Sequence, residues 1–231
     1  MKEKGKFTQT PERRSVEQKG KFIVFEGVGG SGKGTQIELA KNILEVNGLK
    51  AVYTREPGGV VPSEEIRKFI FNLRDKKLIG AEGQMVLFFT ARKFWLDALV
   101  KPSLDSGMNV LTDRCHTSTG AYQGYAEGGN QRQILEIANE VLGSYKPDAV
   151  ILLDISRETS MERRGKDVNG DPFDKETSEY FDRLVAGYRE MAKTNWGGLQ
   201  WYIVDGEKGP LAVSESIAQV LENVFEKKLR R

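Results

Sequence analysis

The chain has 231 residues, enough for one domain with a substantial buried core. Its 35 Lys and Arg stand against 33 Asp and Glu, and a formal charge of +2 gives no bulk electrostatic reason to expect a nucleic-acid or membrane partner. One Cys and one His, adjacent at Cys115 and His116, exclude an internal disulfide framework and argue against a Cys/His zinc site.

The first twenty or so residues are charged, polar and aperiodic, and read as a disordered tail. They contain no apolar core of a secretory signal, and no later run approaches the roughly 18 apolar residues of a membrane span. A cytoplasmic protein is the simplest reading. From Lys21 onward, short β-rich runs alternate with longer amphipathic segments. The first run, "KFIVFEG", leads into a glycine-rich turn and then a helix on which Ile37, Ala40 and Leu44 share a face, stopped at Asn47-Gly48. "AVYTRE" follows, then a long helix around Ala81 to Asp105, then "NVLTDR", "AVILLDIS" and "QWYIVDG". Val213, Ile217, Val220 and Val224 recur at helical spacing near the end. Several of the runs are almost continuously apolar, as suits strands covered on both faces of a parallel sheet. The order predicts one α/β domain over residues 21–231, with five parallel strands between two layers of helices. Ligands of such sheets bind beyond the carboxyl ends of the strands, which singles out Gly27, Arg55-Glu56, Asp113-Arg114, Asp154 and Asp205-Gly206.

The stretch "FEGVGGSGKGTQ", Phe25 to Gln36, meets the pattern G-x-x-x-x-G-K from Gly27 to Lys33, with a strand before it and a helix after it. Such glycines let successive backbone N–H groups face one concavity, and the helix start adds unpaired donors and partial positive charge. Gly27, Val28, Gly29, Gly30, Ser31, Gly32, Lys33, Gly34, Thr35 and Gln36 are therefore the candidate ATP-binding residues. The hydroxyl that usually follows the lysine is replaced by Gly34, with Thr35 one place later. This spelling resembles the phosphate loop of adenylate kinases, which implies a metal held through water.

Four later motifs follow in order: "TREPGG" (54–59), "LFFTAR" (87–92), "KPSL" (101–104) and "TDRCHTSTGAYQG" (112–124). Together they resemble the thymidylate kinases of the bacterial type, from about Lys21 to the C-terminus. The resemblance implies a P-loop NTPase fold of the nucleoside monophosphate kinase kind, transfer of phosphate from ATP to dTMP with Mg²⁺, and a homodimer. It puts Phe88 against the thymine ring, Arg92 and Thr119 on the base edge, and Tyr122 beside the sugar. Ser118, Gln123, Glu56, Pro57 and Arg67 would line the same cleft. Without it, Phe88 and Phe89 would read as core and Arg92 as a solvated helix residue. Asp113 and Arg114 make chemical sense on either ground: a strand-end carboxylate can hold hydrated Mg²⁺ together with Thr35, and a guanidinium can grip the acceptor phosphate.

The segment "SRETSMERRGKDVNGDPFDKE" (156–176) occupies the family's lid, about 160–176, with Arg163, Arg164 and Lys166 as dense cations. The resemblance implies that a lid arginine, Arg163 or Arg164, acts with Lys33 and Arg114 in catalysis. The chain departs from the family at Gly29, Gly34, Ala91, Cys115 and Pro172. Gly29 and Ala91 remove two carboxylates from the acceptor side. These losses keep two alternatives open, a kinase with a different or broader acceptor and a nucleotide-binding paralogue with little activity.

Overall fold

A computed structural model describes residues 19–165 and 177–231. Five strands form one parallel sheet: β1 (Phe22–Glu26), β2 (Ala51–Arg55), β3 (Asn109–Asp113), β4 (Ala149–Asp154) and β5 (Trp201–Asp205), in the order β2-β3-β1-β4-β5. All five coincide with the runs expected from sequence. The helices are α1 (Lys33–Val46), α2 (Val61–Asp75), α3 (Ala81–Trp95), α4 (Lys101–Asp105), α5 (His116–Thr119), α6 (Gln131–Leu142), α7 (Arg157–Arg164), α8 (Ser178–Lys193) and α9 (Pro210–Phe225).

Side chains alternate across the sheet because a strand has a period of two. Phe22, Val24, Val110, Val150 and Leu152 face one core, where Trp95, Leu96, Tyr188 and Met191 pack on them. Ile23, Phe25, Leu111, Ile151 and Leu153 face the other, under Ile37, Ala40 and Leu44 of α1 and Val213, Ile217 and Leu221 of α9. The result is the three-layer α/β arrangement that the β-α order predicts.

The long helix expected over 81–105 is present as α3 and α4 joined by a widened stretch, Leu96–Val100, in which Lys101 N–H donates to Leu96 O. Pro102, which lacks an N–H, stands just after this widening. A second widened stretch, Gly120–Ala126, continues α5 and carries Tyr122 and Gln123. Glu127 N–H closes it by donating to Tyr122 O at 3.0 Å. Two features aim the chemistry. β1 lies between β3 and β4, so the chain leaves the sheet after β1 at the point where strand order reverses. The loops after β2 and β3 then fall on one side of it.

Candidate functional site

The loop from Gly27 to Gly32 links β1 to α1 and is shaped by close backbone approaches. Gly27 has φ 141°, and a Cβ there would lie 2.7 Å from Leu153 O. Gly32, at φ 91°, caps α1 without a side-chain hydrogen bond, and the first turn of α1 holds no acid. The N-terminal N–H groups of α1 are therefore open to an anion. Lys33 is buried and folds back over the loop, donating to Gly27 O at 3.0 Å and Val28 O at 3.1 Å, with Ser31 Oγ at 3.4 Å. Its Nζ stands 4.0 Å from Asp113 Oδ1, an oxygen with no hydrogen-bond partner among the described residues. At Gly34 an added Cβ would meet nothing within 4 Å, so steric crowding does not explain the missing hydroxyl. Thr35 is exposed on the same turn. Gln36 is buried and donates through Nε2 to Pro210 O at 2.9 Å, tying α1 to the start of α9.

Arg114 follows β3 in the left-handed region, at φ 73°. Its Nη1 donates to Ser118 Oγ at 3.1 Å and Tyr188 OH at 3.0 Å. Both hydroxyls in turn donate to Glu26 Oε2, at 2.7 and 2.8 Å. The other oxygen, Glu26 Oε1, accepts from Cys115 N at 3.1 Å and from Thr117 Oγ1. Burial pushes the Tyr188 phenol up, which keeps it a donor. A fully buried carboxylate at the end of β1 thus organises the whole turn after β3 through charge-assisted hydrogen bonds. Arg114 also lies over the Tyr122 ring, 5.0 Å from its centroid.

Next to Arg114 opens a cleft of about 240 Å³ whose wall includes Lys33, Asp113, Arg114, Glu56, Phe88 and Arg92. Pro57, Arg67, Ser118, Thr119, Tyr122 and Gln123 complete the expected acceptor set on the same cleft. Arg92 is 2% exposed, against the solvated position that residue type alone suggests. It forms an ion pair with Glu56, Nε donating to Oε2 at 2.8 Å with Nη2 2.6 Å from Oε1, and Nη2 donates to Thr119 Oγ1 at 3.1 Å. Phe89 lies beneath the guanidinium at 4.5 Å. The remaining nitrogen, Nη1, is buried with no partner among the described residues. Phe88 is buried at the cleft wall, and Arg67 donates to Pro57 O at 3.2 Å while stacking over Phe71. The "TREPGG" turn is held from outside: Arg55 pairs with Glu64, whose Oε1 accepts from Gly59 N, and Ser63 Oγ accepts from Gly58 N.

The two arginines at the end of α7 part company. Arg163 donates to Gly206 O at 2.8 Å and Glu207 O at 3.2 Å, on the loop after β5. Arg164 instead passes the phosphate loop with its stem, Cγ lying 3.3 Å from where a Gly30 Cβ would stand, while its guanidinium lies over the Phe181 ring at 5.4 Å and Nε donates to Ser160 O at 3.3 Å. Ser160 Oγ donates to Gly29 O at 2.6 Å and fastens α7 to that loop. Lys166, Pro172 and the rest of the expected lid up to residue 176 lie outside the described residues, as does the tail through residue 18. Of the strand-end acids, Asp154 is held by Arg189 Nε, 3.0 Å from both its oxygens, and Asp205 is engaged with Lys208 and Glu207 N. Neither is part of the cleft wall.

Cys115 and His116 are both buried. Burial pushes the thiol up, and burial with nearby Arg92 pushes His116 down to about 3, so both are neutral at pH 7. No cluster of three or more metal-ligating side chains occurs among the described residues. Residue-by-residue reading missed Glu26 and Tyr188 as site residues. Glu26 stands in the quoted loop motif as a strand-end acid and could have been found. Tyr188 lies far along the chain on an amphipathic helix and carries no local signal.

The family model described as thymidylate kinase matches residues 25–217. The thymidylate kinase of Hahella chejuensis is 34% identical over 204 residues, covering 88% of this chain and 97% of that protein. That of Francisella tularensis subsp. holarctica is 32% identical over 205 residues, covering 89% and 97%. Among solved structures, a crystal structure of thymidylate kinase from Ehrlichia chaffeensis superposes with a TM-score of 0.69 at 27% identity, covering 88% of this chain and 99% of that one. With the phosphate loop, the parallel sheet and these relatives in agreement, the chain belongs to the thymidylate kinase family.

Proposed function

We propose that this chain transfers the γ-phosphoryl group of ATP to dTMP, giving dTDP and ADP. One observation carries the reading: a single cleft runs from Lys33 and Asp113 to Arg92, Phe88 and Gln123. The phosphate end of an acceptor can therefore meet a nucleotide on the loop while its base reaches the buried guanidinium.

ATP sits with its phosphates on the N–H groups of Gly27–Thr35, and Lys33 exchanges its loop carbonyl partners for phosphate oxygens. Arg114 and Arg67 hold the acceptor phosphate, already ionised at neutral pH, so no general base is required. Its oxygen attacks the γ-phosphorus in line, the bond to the bridging oxygen breaks, and that electron pair remains on the β-phosphate of ADP. Arg164, seated against Gly30, neutralises the charge that spreads over the transferring group, whereas Arg163 anchors α7 to the loop after β5. Mg²⁺, when bound, would offset the negative charge of the phosphates. Asp113 Oδ1, without a hydrogen-bond partner among the described residues, suits a water-held ion, with Thr35 on the adjoining turn.

In the acceptor cleft, Phe88 stacks on the base, Arg92 Nη1 and Thr119 meet its carbonyl edge, and Tyr122 with Ser118 flanks the sugar. Glu56 holds Arg92 in place beside Pro57. The same reading includes the whole of residues 21–231 as one kinase domain, a lid around 160–176, a cytoplasmic setting, and a homodimer through the α3 face that exposes Val86 and Phe94. The test is an acceptor panel with coupled ADP detection. We expect kcat/KM for dTMP to exceed that for dUMP, dCMP, dGMP and dAMP; equal use of all five, or no transfer to any, overturns the reading.

A further inference from the structure

Behind Gln123 lies a polar network that phosphoryl transfer does not use. Gln84, on α3, is buried and makes four hydrogen bonds. Its Oε1 accepts from Arg74 Nη1 at 2.8 Å and from Gln123 Nε2 at 3.1 Å. Its Nε2 donates to Glu127 Oε2 at 3.2 Å and Ile79 O at 3.4 Å. Arg74 Nη1 also donates to Glu127 Oε1 at 2.6 Å, and Tyr180 OH reaches that oxygen at 3.4 Å.

A primary amide has two ends of nearly equal size, and an isolated glutamine can present either one. Gln84 has no such freedom. A guanidinium offers only donors, and the carboxylate paired with it offers only acceptors. The oxygen of Gln84 must therefore point to Arg74 and its nitrogen to Glu127. That polarity passes on: Gln123 has to donate its Nε2 to the oxygen of Gln84, and its Oε1 is the end left for the cleft it lines. A cleft with a fixed acceptor there, and the donor Arg92 Nη1 in the same wall, complements a pyrimidine with a ring N–H beside a carbonyl. It opposes a pyrimidine whose ring nitrogen is an acceptor beside an amino group, because like ends then meet in a buried site.

We propose that Arg74, Gln84 and Glu127 are positioning residues that fix the hydrogen-bond polarity of Gln123 and thereby select oxo- over amino-pyrimidine monophosphates. This rests on the nucleotide reading of the cleft given above. Glu127 and Arg74 come from the ends of two elements, Gly120–Ala126 and α2, so the pair also clamps the cleft wall to the helix that carries Arg67.

Steady-state kinetics on the full chain with dTMP and dCMP, each against saturating ATP, test it. Wild-type enzyme is expected to prefer dTMP. Q84M, close in shape but without the amide, should lose at least tenfold of that preference, chiefly through the KM for dTMP, with the KM for ATP within twofold. The exchange Q84E/E127Q keeps an acceptor for Arg74 and Gln123 and a donor between positions 127 and 84, and should restore the preference to within threefold of wild type. A preference retained within threefold in Q84M overturns the proposal, as does a parallel fall for both acceptors with a rise in the KM for ATP. If Q84M does not fold, R74M/E127M, which removes both charged groups that orient the Gln84 amide, carries the same expectation and the same overturning result. Wild-type enzyme that fails to prefer dTMP overturns the functional reading and this inference with it, whereas a selective wild type with selective variants overturns the inference alone.

Discussion

Around Lys33 the groups that shape the site are mostly backbone atoms of one continuous stretch, Gly27 to Gln36, whereas around Arg92 they are side chains gathered from several elements. The first half of the cleft depends on φ values, on Gly27 and Gly32 above all, and on the unpaired start of α1. The second depends on buried charges held by partners distant in sequence: Glu56 with Arg92, and Glu26 with Ser118 and Tyr188. A backbone site binds what any such site binds, a polyphosphate. A side-chain site sets hydrogen-bond direction atom by atom, which is what discrimination between bases requires. Two kinds of construction in one cleft should fail in different ways when substituted.

The largest expected effect separates the two halves. Lys33→Ala should lower kcat/KM by on the order of a thousandfold and abolish ATP binding. Binding of dTMP alone, measured calorimetrically, should stay within about threefold of wild type; a joint loss would mean that the halves are not independent. Arg92→Leu attacks the other half. It strands the Glu56 carboxylate, which burial already pushes up, and should destabilise the fold by about 3 kcal/mol in chemical denaturation. Adding Glu56→Leu should recover much of that loss, since the isolated charge is then gone. Additive losses in the double variant would show that the pair contributes packing and little else.

Acid should weaken the side-chain half through His116. Its folded pKa lies at about 3, below the usual 6.5, so the unfolded chain binds the extra proton between those values. Stability is then full above pH 6.5 and falls by roughly 1.4 kcal/mol per pH unit below it, until the folded state also protonates near pH 3. His116→Gln should flatten that slope between pH 4 and 6 in denaturant titrations; an unchanged slope would assign the acid sensitivity elsewhere. The smallest effect belongs to the loop. Gly34→Ser enters open space at the start of α1 and should stabilise the protein by about 0.5 kcal/mol. If the metal is held through water, Mg²⁺-dependent activity should remain within about threefold. A tenfold gain would show that a direct hydroxyl ligand was missing.

Most of the architecture could be read in the chain. All five strands were visible as apolar runs because a parallel sheet covers both faces of each strand, and the helix stop at Gly48 was visible because its φ of 67° suits glycine. The phosphate loop was equally plain, since a backbone site is written in consecutive residues. Arg92 was not: on its own it reads as a solvated helix position. Its burial depends on Glu56, which lies 36 residues earlier, and on Thr119, 27 residues later. Tyr188 and Gln84 were silent for the same reason, having no partner within a helical turn to mark them. Arg163 and Arg164 are neighbours of identical chemistry, and only the packing of α7 gives them different contacts, Gly206 O for one and Gly30, Ser160 O and Phe181 for the other.

Local order along the chain was thus enough to establish the α/β layers, the nucleotide loop and, through its motifs, the family. Only the folded arrangement decided which charges are buried together, which of two arginines passes the loop, and which end of Gln123 is held by Gln84. The physical reason is range. Backbone conformation and strand periodicity are properties of neighbours, whereas the direction of a buried hydrogen bond is set by groups that meet only when helices close over the sheet.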